Sequence, residues 1–171
     1  MSDKIIITQD VRPHMMKKLL IVLTPTFLLL AGCASIPLVS PKMPDVSNRA
    51  EIVIFRKSAF NAGGVGLSFG ADEQAITTLG NADYASIFFA SGTYKFFVRA
   101  RSAEPTVLNL TLKTGDRRCL KTVPDSGNLA KAAVPIFLMA SGYRFLLEEV
   151  PCMSGDQLAK YSRVKIEYQD H

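Results

Sequence analysis

The sequence predicts an all-β domain, a small antiparallel β-sandwich over residues 50–171, and three observations carry that expectation. From Arg49 onward, short β-branched or aromatic segments recur about every ten residues, separated by Gly, Asp, Asn and Pro. Two of them alternate strictly. In 93–101, Tyr94, Phe96, Val98 and Ala100 share one face, while Thr93, Lys95, Phe97, Arg99 and Arg101 share the other. In 106–114, Leu108, Leu110 and Leu112 alternate with Asn109, Thr111 and Lys113, so each strand has a core face and a largely wet face. The third observation is that almost no stretch sustains the 3.6-residue period of an amphipathic helix.

Strands are expected at 51–57, 65–69, 74–79, 84–89, 93–101, 106–114, 117–123, 143–150 and 163–168. Gly115-Asp116 reads as the turn of a hairpin joining 106–114 to 117–123. Gly80-Asn81, Gly92 and Gly142 read as turn residues with positive φ. Asn61-Ala62-Gly63-Gly64-Val65-Gly66 lacks the Lys and Ser/Thr of a phosphate-binding loop and the spacing of a dinucleotide fingerprint, so a flexible hairpin loop is expected there. Residues 130–138 are apolar except for Lys131, and Pro135 opposes both a central strand and a regular helix. A buried crossover between sheets and a hydrophobic surface feature both remain open for them. Over 153–161, Ser154 as N-cap followed by Leu158 and Ala159 suits one or two helical turns.

The chain has 171 residues, 48% of them hydrophobic and 20% charged, with 20 basic and 15 acidic side chains, which fits one globular domain. Four of those bases and two of those acids precede Cys33, leaving 16 and 13, a net charge of +3. With no Trp, no basic run longer than two residues as in Arg117-Arg118, and no aromatic-basic interleaving, nucleic acid is not expected as a partner.

Residues 1–32 read as a signal peptide. Met15-Met16-Lys17-Lys18 supplies a charged start, 19–30 a largely apolar run of 12 residues, and Ala31-Gly32 the small residues before a cleavage site between Gly32 and Cys33. A membrane-spanning helix needs about 20 residues, and Pro25 weakens this run further. Residues 1–14 carry no feature that such a signal requires, so translation from Met15 or Met16 is the favoured reading and a longer n-region the alternative. Leu30-Ala31-Gly32-Cys33 resembles the lipobox of bacterial lipoproteins, which implies that the Cys33 thiol takes a diacylglycerol and becomes the first mature residue. In that family an Asp after the cysteine retains the protein in the inner membrane. Ala34 and Ser35 stand here instead, which implies the periplasmic face of the outer membrane, with membrane lipid as the partner of acylated Cys33. Residues 33–49 are expected to be a flexible linker, since 34–48 hold three prolines and three serines. At about 3 Å per residue, 34–48 could hold a domain up to roughly 45 Å from the bilayer.

The lipobox, the proline-rich segment, the opening AEIVIFRKS, the central SGTYKFFVRA and the closing YRFLLEEV together resemble bacterial lipoproteins carrying a domain of unknown function. That domain is a carboxypeptidase-regulatory-like, or transthyretin-like, β-sandwich. The resemblance covers roughly 50–150; the family commonly has Pro-Gly where this chain has Ser91-Gly92. It implies fold and location, and it transfers no catalytic residue.

With Cys33 given to lipid, Cys119 and Cys152 are an even pair in an oxidising compartment and are expected to form a disulfide. Two sulfurs without nearby histidines make no zinc site, so no metal and no cofactor are expected. His14 precedes the cleavage site and His171 ends the chain, so the domain offers no Ser-His or Cys-His dyad and no catalytic residue is assigned. Asp72-Glu73, Asp83 and Glu148-Glu149 are the carboxylates that acid-base chemistry would require, and they read as solvated acids. Arg99, Arg101 and Arg117-Arg118 read as outward strand positions rather than one basic face. The expected function is a non-enzymatic envelope binding or assembly module with a possible envelope protein partner. The alternatives are an accessory lipoprotein of a secretion apparatus and a carboxylate-dependent hydrolase of envelope polysaccharide or peptide.

Overall fold

The computed structural model describes residues 37–59, 64–101, 103–127 and 142–169, all within the compact unit Ile36–His171. Expectations for Gly32 and Cys33, for 61–63, for 130–138 and for His171 fall outside the described residues.

The described chain is a β-sandwich. Its strands are β1 (Arg49–Arg56), β2 (Leu67–Ala71), β3 (Gln74–Leu79), β4 (Asp83–Ala90), β5 (Gly92–Ala100), β6 (Thr106–Leu112), β7 (Arg117–Pro124), β8 (Phe145–Val150) and β9 (Ser162–Arg163), with a short helix α1 (Gly155–Leu158) before β9. One sheet has the order β8-β7-β1-β4-β9 and the other β3-β2-β5-β6. Pairing is antiparallel except where β1 meets β7 and β4 meets β9, which run parallel.

Period-2 alternation builds the core. Ile52 and Ile54 of β1, Ala85, Ile87 and Phe89 of β4, Leu120 of β7 and Leu147 of β8 face Leu67 and Phe69 of β2, Leu79 of β3 and Phe96 and Val98 of β5. Each fully buried side chain of this size contributes about 1.5–3 kcal/mol. The ring of Phe96 lies parallel to that of Phe69 at 5.9 Å and edge-on to that of Phe89 at 5.2 Å, which makes it the hinge of the aromatic packing. The face predicted as core from 93–101 is the buried one, and β3 occupies the predicted residues.

Asp72 and Glu73, both at positive φ, form the tight turn between β2 and β3. Beside it the ladder shifts register between Phe69 and Gly70, and a Cβ on Gly70 would lie 1.9 Å from the Gln74 carbonyl oxygen, so only glycine fits that bulge.

Four expectations need correction. Gly115, at φ 82, does turn the chain, but β6 and β7 are not a hairpin: they belong to different sheets. The connection bonds to the start of β1 instead, Gly115 N donating to Arg49 O at 2.9 Å and Glu51 N to Asp116 O at 2.8 Å. In the Gly80-Asn81 turn the positive φ falls on Ala82, and the Gly80 N–H donates to Asp83 Oδ2 at 2.7 Å. The strand expected at 163–168 pairs only at Ser162–Arg163, because the Tyr168 hydroxyl, not a backbone carbonyl, accepts from Phe88 N at 2.9 Å. Finally, the linker expected over 33–49 is docked on the sandwich from Leu38 onward. Val39 N donates to Ala75 O at 2.7 Å, and Gln169 N to Pro41 O at 3.0 Å. These bonds hold an N-terminal strap across one end of the two sheets.

Candidate functional site

The outer face of the five-stranded sheet is partly covered, around Val53, Phe55 and Cys119. Cys119 is buried on β7, and its sulfur is bonded to that of Cys152, just past the end of β8, with Cα atoms 5.0 Å apart. The bridge starts a C-terminal strap in which Ser154 and Gln157 form a reciprocal capping box and α1 presents Leu158 to Val53 and Cys119. Tyr161 then meets Phe55 edge-on at 5.6 Å, and β9 pairs with β4.

The candidate carboxylates are not gathered. Asp72 and Asp83 lie at opposite ends of β3, where Asp72 Oδ1 accepts from Lys95 N at 2.9 Å and Asp83 accepts from Gly80. On the other sheet Glu148 pairs with Lys121 at 2.9 Å and Glu149 with Arg118 at 2.6 Å. Such partly exposed pairs are worth about 0–1 kcal/mol each. Arg117 meets Glu51 at 3.0 Å, so the arginines of β7 and Arg99 of β5 lie on different sheets and share no basic face. Among the described residues no three His, Cys, Asp or Glu side chains cluster as metal ligands, and no helix is long and apolar enough to cross a membrane.

Two features went unread in the sequence. The first is Arg56, fully buried at the end of β1. Its Nη1 donates to the carbonyls of Val65 and Leu79, the latter at 3.2 Å, and its guanidinium lies over the Phe145 ring at 4.8 Å. Burial lowers its pKa, partly offset by Asp83, and the group remains charged. Inward parity with Ile52 and Ile54 was the available signal.

The second is a groove of about 320 Å³ on the outer face of the four-stranded sheet, lined by Glu73, Lys95, Phe97, Arg99, Pro105 and Val107. Phe97 pairs across the ladder with Gly70, where the Gln74 carbonyl occupies the space a side chain would need. Phe97 is nevertheless only 7% exposed and forms an apolar floor between two cations on the same strand. Glu73 is brought to the rim by the turn that Asp72 ties to Lys95 through Asp72 N and Lys95 O at 3.0 Å. An apolar floor flanked by Lys and Arg suits a ligand or peptide that joins an anionic group to an apolar one. Lys95, Phe97 and Arg99 share the face expected to be wet, but on it Phe97 is buried. No protein-family model and no curated protein matches the chain.

Proposed function

We propose that the chain is an outer-membrane lipoprotein of the bacterial envelope, anchored through acylated Cys33, whose sandwich binds a partner rather than catalysing a reaction. The observation that carries this reading is Leu30-Ala31-Gly32-Cys33 behind a charged start and a 12-residue apolar run. The Cys119–Cys152 bond supports an envelope location, because such bonds persist outside the reducing cytosol. Ala34 and Ser35 after the cysteine favour the outer membrane, and the resemblance to lipoproteins with a transthyretin-like domain agrees with that address. The groove over Phe97 is the face assigned to the partner, since it combines apolar area with a basic pair.

Labelling cells with a radioactive fatty acid tests the anchor. The native protein should take the label, and Cys33→Ala should lose it and accumulate as unprocessed precursor. Unchanged label in the variant would remove the lipoprotein reading.

A further inference from the structure

The short reach of the anchor has a structural consequence. Leu38, where the chain is already paired with Ala75, is the fifth residue after Cys33, so the span is at most about 18 Å instead of the length of the whole proline-rich segment. The strap then stays at one end of the sandwich. Asn48 Oδ1 accepts from Ser91 N at 3.3 Å and from Thr114 Oγ1 at 3.4 Å, so the strap touches the β4–β5 and β6–β7 connections, which share that end with the β2–β3 turn. Leu38 is 53% exposed and Val46 75% exposed, and both lie on the strap. Only one other large hydrophobic among the described residues, Val107, is comparably exposed.

Charge does not explain this end. Lys42 and Lys113 face solvent beside Asp45, Asp72 and Glu73, and such a mixture has little net attraction for an anionic surface. The apolar pair has a neighbour imposed by the chain: whatever bilayer holds Cys33 lies within the reach of five residues. Two side chains alone bind a membrane weakly, but acyl chains that hold them beside the surface supply a high effective concentration.

We infer that the strap end of the sandwich rests on the bilayer that holds the Cys33 lipid, with Leu38 and Val46 entering its interface. This rests on the lipoprotein reading above. The opposite end, where Arg56 closes the core, then points away from the membrane, and a partner must come to the domain near the bilayer.

The test uses full-length protein, purified without reductant and reconstituted in phosphatidylethanolamine/phosphatidylglycerol vesicles, with an environment-sensitive fluorophore on Leu38→Cys, Val46→Cys or Thr78→Cys. All three sites are exposed, and Thr78 lies toward the far end of β3. Emission at 38 and 46 should rise at least about two-fold over that at 78 and should be quenched by spin-labelled lipid. Fatty-acid content is measured on the same sample. Acylated protein with three equally wet probes overturns the inference and leaves the lipoprotein reading standing, whereas protein without acyl chains removes both.

Discussion

On the five-stranded sheet the outward residues Val53 and Cys119 are buried beneath Leu158, whereas on the four-stranded sheet the outward Thr93, Lys95, Asn109 and Thr111 meet solvent. Both sheets share one core, so the contrast arises from what each strand carries on its second face. β1 has Val53 and Phe55 there, and a sheet with apolar residues on both faces must be covered twice. The C-terminal strap is that second cover. β5 and β6 carry mostly polar residues outward and need none, which leaves the groove over Phe97 available. The cover adds to the stability of one face, and the other face keeps its groove open to solvent.

The sharpest way to break this contrast is to cut the cover loose. Replacing Cys119 and Cys152 together by Ser should cost about 2–4 kcal/mol, because the bond closes a loop with a sequence separation of 33 residues. Urea midpoints of the oxidised native protein and the double variant measure this. Amide exchange should quicken first in 152–163 and least in β2 and β5. An unmoved midpoint would mean that Leu158 and Tyr161 hold the strap unaided.

Much of this division could be read from the residues, and some could not. Alternation placed β1 to β8 within a few residues, and Ser154 marked the start of α1, because both signals are local. The sheet to which each strand belongs is not a local property. A polar turn such as Gly115-Asp116 looks the same whether the next strand pairs with the last or crosses to the other sheet, and here it crosses. Prolines in 34–48 suggested a free tether for the same reason: their stiffness is visible in the sequence, while the edge of β3 that receives Val39 is distant in the chain. Arg56 escaped notice because a cation is rarely fully buried, and carbonyls contributed by β3 and the loop before β2 help to make its burial tolerable.

A smaller effect is expected at the far end of the cover. Tyr168→Phe removes the acceptor of Phe88 N, at a cost of about 1 kcal/mol. Burial raises the pKa of Tyr168 above its ordinary value of 10.0, so the folded state holds the phenolic proton more tightly than the unfolded chain does. That stability is fully present below about pH 10 and is lost as pH rises through the folded value. Tyr94 is raised in the same sense, also by burial first. Urea midpoints should therefore stay level from neutral pH to about 10 and then fall, and Tyr168→Phe should flatten part of the fall.

The smallest effect on stability should come from the open face, and there its absence is the informative result. Lys95 is exposed and Arg99 lies on the same outward face, so Lys95→Glu/Arg99→Glu should leave the unfolding free energy from urea titration within about 0.5 kcal/mol of the native value. Phe97 makes a poor probe by comparison, since truncating a buried ring costs about 3–5 kcal/mol and would confound folding with contact. Reversing both charges inverts the attraction for an anionic group while sparing the floor, and the difference should shrink with added salt as screening shortens its range. Crosslinked envelopes from cells carrying the native protein, the double variant or Thr78→Glu, a charge added outside the lining of the groove, supply the comparison. Loss of crosslinked partner in the double variant alone would place the contact over Phe97. Equal recovery from all three would move it off this face, leaving the polar outer residues of β5 and β6 as ordinary solvent-facing positions.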